Sequence, residues 1–183
     1  SEIDKYATLT YKSNYDTSNE TEIGDIQKFT DSNEKINSLE DFDLLTGGFP
    51  CQAFSMMGKQ KGFGDDRGNI FYSIIDVLLV KKPKYVLLEN VRNIKNHDKG
   101  RTYREIIRSL EDDAGYYVSS NIFNTSDFGL PQTRRRMFFF AIRKDIPHNK
   151  INLDKEAISN LNIDLKKSTS LKKYKNVLDN LLE

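Results

Sequence analysis

Apolar residues recur along this chain at two spacings, one helical and one of strands, and they alternate in order. Between residues 5 and 15, Tyr6, Leu9 and Tyr11 recur at helical spacing, which predicts a helix with these three as candidate core contacts. A polar loop follows at 17–21. Residues 41–46, Asp-Phe-Asp-Leu-Leu-Thr, read as a short buried strand that ends at Gly47-Gly48, and 58–68 as a loop rich in glycine and charge. Helical spacing returns over 69–80 with Ile70, Ile74, Val77 and Leu78, and Pro83 stops it. Residues 84–89 form a continuous apolar strand, Tyr85-Val86-Leu87-Leu88, closing on Glu89. A further helix is expected at 102–110, before Gly115, and two strands at 116–123 and 137–142 around a loop at 126–136. Beyond Asp145 the patterning weakens, and only 174–182 has helical spacing. Strands alternating with helices predict an α/β fold: a doubly wound, mostly parallel sheet covered on both faces, with an antiparallel strand pair at its C-terminal end.

Composition narrows this picture. The 183 residues fit one domain with a real core, divided here into 1–145 and a Lys-rich segment at 146–183. Twenty-eight Lys and Arg against twenty-seven Asp and Glu give a net charge of +1, so any nucleic-acid affinity must come from local clusters. No run approaches the roughly 18 apolar residues of a membrane span, and no signal-like N-terminus is present, so no membrane partner is expected. A single cysteine forms no internal disulfide, which fits a reducing, cytoplasmic compartment and leaves Cys51 a free thiol. Taken alone, such a cysteine is a small buried hydrophobe.

Topology changes that reading. Two parallel strands joined through a helix place both C-terminal ends on one edge of the sheet, where ligands bind in open α/β folds. Cys51 lies just past the first strand end and Glu89 at the second, which makes them a candidate nucleophile and acid. Pro50 stiffens the turn that carries the thiol. A free thiol is mostly protonated at neutral pH, and nearby N–H groups or cations raise its thiolate fraction. The plain reading of Glu89 is a surface carboxylate closing a strand, and that of Arg134-Arg135-Arg136 a solvated basic run or simple phosphate contacts.

Five ordered segments together resemble the cytosine-C5 DNA methyltransferase family. Residues 47–55, Gly-Gly-Phe-Pro-Cys-Gln-Ala-Phe-Ser, resemble its nucleophile motif, and Glu89-Asn90-Val91 its second catalytic motif. Gln132-Thr133-Arg134-Arg135-Arg136 is similar to its glutamine–arginine motif. Residues 2–7 and Gly24-Asp25-Ile26 resemble the two cofactor segments that precede the cysteine. Five motifs in order are far more specific than any one of them. The likeness spans about residues 1–145, and 174–178 is only weakly similar to the lead into the family's target-recognition region. It implies the Rossmann-like fold of S-adenosylmethionine-dependent methyltransferases, S-adenosylmethionine as cofactor with no metal, and double-stranded DNA as partner.

The resemblance also implies roles. Cys51 would attack C6 of cytosine, turning C5 into a nucleophile for the methyl group. Glu89 would hold the N3 and exocyclic-amine edge, Arg134 would bind the base carbonyl, and Arg136 would brace the site, with Gln132 a further catalytic candidate. Glu2 would take the cofactor's ribose hydroxyls and Asp25 the adenine amine, with Ile3, Ile26, Phe49 and Pro50 lining the pocket. A base inside a duplex is out of reach, so it must be flipped out. The segment 55–68 resembles the family's mobile catalytic loop, and Gln52, Ser55, Lys59, Gln60 and Arg67 are its candidate DNA contacts. Met56-Met57 depart from the small polar residues common there.

Other parts of the family pattern are missing. Its opening strand with a Phe-x-Gly-x-Gly turn does not precede Ser1, and the target-recognition region does not follow Glu183. A fragment, a split enzyme with a complementary subunit and a partial record all fit, and the isolated chain is expected to be inactive. The DNA reading implies a bacterial or phage modification enzyme, in the cytoplasm of a bacterial or phage-infected cell. Three alternatives stand beside it. The eukaryotic members of an RNA methyltransferase group in the superfamily, acting on transfer RNA, usually carry Pro-Pro-Cys and Cys-Phe-Thr, where this chain has Gly-Phe-Pro-Cys and no second cysteine. A decayed, non-catalytic binding module is disfavoured by intact Cys51, Glu89, Gln132 and Arg134. An unrelated nucleotide-binding domain would need a phosphate-gripping Gly-rich turn, and none is present.

Overall fold

The computed structural model describes residues 1–50 and 70–147. The predicted helix at 174–182 and the loop at 58–68 lie outside them. The described chain runs α1 (Lys5–Asn14), α2 (Ile26–Phe29), α3 (Asn33–Asn37), β1 (Leu44–Gly48), α4 (Ile70–Lys81), β2 (Tyr85–Val91), α5 (Arg101–Arg108), β3 (Tyr116–Asn124) and β4 (Arg135–Arg143). Short 3-10 turns at Arg92–Lys95 and His97–Gly100 join β2 to α5, and a single π turn, Ser109–Asp113, extends α5.

The four strands form one sheet in the order β1-β2-β4-β3. β1 and β2 are parallel, as a helical crossover requires, while β2–β4 and β3–β4 are antiparallel. The expected antiparallel pair at the C-terminal end is therefore present. Because β4 inserts between its hairpin partner and β2, the described pairings number one parallel and two antiparallel.

β2 shows why the core forms where it does. Its alternate residues Val86, Leu88 and Asn90 are buried, while Tyr85, Leu87 and Glu89 are half-buried on the other face. Val86 and Leu88 lie in register with Ala141 and Phe139 of β4. This face packs against Phe71, Ile74, Ile75 and Leu78 of α4, and Ile106 of α5 joins the same cluster.

Three expectations about the elements need correction. β1 begins at Leu44 rather than residue 41 and runs through both glycines, because Gly47 and Gly48 continue the ladder opposite Leu88 and Glu89. β2 continues to Val91, so Glu89 lies within the strand opposite Phe138, not at its end. On α1, Tyr6, Leu9 and Tyr11 are 76%, 50% and 48% exposed. They are not core contacts, since apolar spacing sets the helix and Asp4 caps it through Ala7, while no described element covers that face.

At the start of β3, fully buried Tyr116 donates its hydroxyl to the Pro83 carbonyl at 2.7 Å. Burial pushes its phenol up to about 12. The phenol is neutral in both states below its unfolded value near 10, and it ionises first in the unfolded chain above that. Stability from this group is therefore complete below pH 10 and should fall by up to roughly 2–3 kcal/mol between pH 10 and 12. Denaturant titrations of wild type and Tyr116→Phe across that range should show a steeper loss for wild type. Parallel curves would refute it.

Candidate active site

The parallel register sets the geometry of the site. Gly48 at the end of β1 stands opposite Glu89 of β2. A Cβ at Gly48 would meet Glu89 Oε2 at 3.4 Å, so the bare glycine leaves the carboxylate the space it occupies. On its other side, Arg136 Nε donates to Glu89 Oε1 at 2.7 Å. Arg136 reaches this position because it opposes Val91, one diagonal step along the ladder from Glu89. The pair is partly shielded, with side chains 23% and 36% exposed.

A cleft of about 540 Å³ opens beside the pair, lined by Val91, Arg92 and Asn93 and by residues 132–136. Gln132, Arg134 and Arg136 are thus brought to one place, next to Glu89. Arg136 also donates through Nη1 to the Arg135 carbonyl at 3.0 Å. Among the described residues, Arg92, Arg134 and Arg135 have no carboxylate partner, so the cleft is cationic and suited to phosphate or carbonyl oxygens.

Sequence reasoning assigned no role to three residues here. Thr125 clasps the glutamine–arginine loop: its hydroxyl donates to the Gln132 carbonyl at 2.5 Å and accepts from Arg134 N at 3.1 Å. Arg92 adds a cation to the cleft, and its only sequence signal is that it directly follows Glu89-Asn90-Val91. Asn90, the third, turns away from the cleft into the core.

The candidate cofactor residues form a second group. Ser1 Oγ donates to the Gly24 carbonyl at 2.6 Å, which draws the segment of Glu2 and Ile3 beside that of Asp25 and Ile26. Glu2 Oε1 accepts from the backbone of Ile3 and Asp4, both at 2.8 Å, and its other oxygen has no partner among the described residues. Asp25 caps α2 by accepting from Gln27 N at 3.0 Å. Ile26 packs against the cluster that contains Phe49, which is 6% exposed, while Pro50 is exposed. Ile3 is 76% exposed, an apolar surface that a ring could cover. An open carboxylate oxygen beside bare apolar surface fits a ribose and its base.

Cys51, Gln52, Ser55, Lys59, Gln60 and Arg67 lie outside the described residues. Among the described residues, no three His, Cys, Asp or Glu side chains group as a metal site. None of the described helices is long and apolar enough to cross a membrane.

A parallel strand pair with a carboxylate at its rim and an arginine-lined cleft beside it defines an α/β domain with a polar, cationic site. The comparisons say which. The C-5 cytosine-specific DNA methylase family matches residues 1–183, and the chain belongs to that family. It is 42% identical over 183 residues to the Type II methyltransferase M1.ScrFI of Lactococcus lactis subsp. cremoris, covering all of this chain and 41% of that protein. Over 138 residues it is 48% identical to the Type II methyltransferase M.NlaX of Neisseria lactamica, 75% of this chain and 42% of the relative. The crystal structure of S. pombe Dnmt2 methyltransferase shares the fold with a TM-score of 0.59 at 22% identity, over 84% of this chain and 43% of that one. The chain spans about two fifths of the length of the relatives it matches. The α/β architecture is accordingly the Rossmann-like methyltransferase fold.

Proposed function

We propose that this chain is the catalytic portion of an enzyme that methylates C5 of cytosine in double-stranded DNA, as part of a restriction–modification system. The observation that carries the reading is the Glu89–Arg136 pair at the C-terminal rim of β1 and β2, three residues in sequence from Cys51 through the register partner Gly48.

Most of the steps fall to residues of this chain. The Cys51 thiolate adds to C6 of an extruded cytosine, and the displaced electron pair gathers on C5 and the ring. Glu89 accepts from the exocyclic amine and delivers a proton to N3, which offsets that charge. Arg136 holds the carboxylate in place, and Arg134 donates to the ring carbonyl. Arg92 and Arg135 meet the phosphates that flank the extruded nucleotide. S-adenosylmethionine, held by Glu2, Asp25, Ile3, Ile26 and Phe49, supplies the methyl group. Once C5 carries it, a water takes the C5 proton, the restored C5–C6 double bond expels the Cys51 thiolate, and N3 returns its proton to Glu89. Gln52, Ser55, Lys59, Gln60 and Arg67 are proposed contacts to the DNA.

The test is covalent capture on duplex DNA containing 5-fluorocytosine, where a fluorine replaces the proton that must leave. The chain is assayed with S-adenosylmethionine and joined to the parts its relatives carry beyond it. Wild type should form a denaturation-resistant DNA adduct and Cys51→Ser none. Equal capture of the matching RNA would favour an RNA substrate, and no capture of either would leave a binding module.

A further inference from the structure

We infer that Asn90 is a positioning residue for the nucleophile: its side chain clamps the backbone that leads into Cys51. The inference deepens the proposed function and rests on that reading.

Asn90 is 1% exposed and sits on the core face of β2, between Leu88 and the register partner Met137. Every other buried residue on this face of β2 and β4 is apolar: Val86, Leu88, Met137, Phe139 and Ala141. Burying a primary amide there is costly unless both ends are bonded, and a leucine would fill the same space without that demand. Both ends are bonded. Nδ2 donates to the Phe49 carbonyl at 2.7 Å, and Oδ1 accepts from Val91 N at 2.8 Å.

The place of the first bond explains why an amide is there. The β1–β2 ladder ends at the pair Gly48 and Glu89. It cannot continue through Pro50, which has no N–H to give. The Asn90 side chain takes over one residue further on and ties Phe49 to β2, while the Phe49 ring packs on Phe71 at 5.2 Å. Phe49 is restricted to extended backbone because a proline follows. With its carbonyl held as well, the backbone that enters Pro50 is fixed two residues before Cys51. Glu89 and Asn90 are neighbours that face opposite sides of β2, so one stretch of strand holds both the acid and the backbone that delivers the thiol.

Cys51 is the chain's one cysteine, so alkylation by iodoacetamide reads that residue without any turnover. The rate is measured from pH 6 to 10 for wild type, Asn90→Leu and Phe139→Ala, each native and in denaturant. Native wild type should differ from its denatured rate or profile. Asn90→Leu should move at least threefold toward the denatured behaviour, while Phe139→Ala, which loses stability but keeps the Asn90 amide, should keep the wild-type profile. An unchanged profile in Asn90→Leu, or a wild-type thiol that already reacts as in the denatured chain, overturns the inference. If Asn90→Leu shows no cooperative unfolding, Asn90→Ser decides by the same criterion. Adduct formation on 5-fluorocytosine DNA with Cys51→Ser remaining competent would sink the proposed function instead, which separates the two failures.

Discussion

Glu89→Gln should lower the rate of methyl transfer by about 10²- to 10⁴-fold, the range that a positioned general acid contributes. The amide keeps the size of the carboxylate and can still accept from Arg136 Nε, now 2.7 Å from Oε1, so the local geometry should survive. It cannot give a proton to N3, and charge would build on the ring as the thiolate adds. The loss should fall on the rate constant at saturating DNA and much less on the DNA concentration at half-maximal rate, because the phosphate-facing arginines are untouched. Single-turnover transfer of tritiated methyl groups measures both. Glu105→Gln is the matched control: it removes a half-exposed ion pair to Arg108 on α5, outside the residues lining the cleft, and turnover should stay at the wild-type level. A Glu89→Gln enzyme within threefold of wild type would remove Glu89 from the chemistry.

Phe139→Ala should destabilise the chain by about 3–5 kcal/mol, a large part of the 5–15 kcal/mol that holds a typical domain. Phe139 is fully buried at the centre of the sheet, in register with Leu88, with its ring 6.0 Å from that of Tyr103 on α5. Truncation removes apolar burial and leaves a cavity between β4 and the helices, which strands on both sides keep from collapsing. Tyr6→Ala on the exposed face of α1 should change stability by less than about 0.5 kcal/mol. Guanidinium unfolding with equal slopes reads both differences. A cost below 1 kcal/mol at Phe139, or above it at Tyr6, would mean that the core is misassigned.

Local patterning carried most of the elements. Helices α1, α4 and α5 and all four strands follow from apolar spacing and from Pro83 and Gly115, because main-chain hydrogen bonding and side-chain periodicity are short-range properties. The ends were less legible. β2 extends past Glu89 because β4 supplies partners as far as Arg136, a contact between residues 45 apart in the chain that no local signal contains. For the same reason the spacing on α1 announced a helix but not what would cover it.

The candidate site divides along the same line. Placement at strand ends marked Cys51 and Glu89 as candidates, and the resemblance of ordered motifs to a known family added Gln132, Arg134 and Arg136. Only the folded sheet decided that Arg136 is the arginine that grips Glu89, that Thr125 clasps the loop between Gln132 and Arg134, and that Asn90 turns inward to hold Phe49. Strand register decides which side chains face one another, and register is an outcome of the whole packed sheet. A sequence names the reactive groups, while distance and direction between them arise when the strands pair.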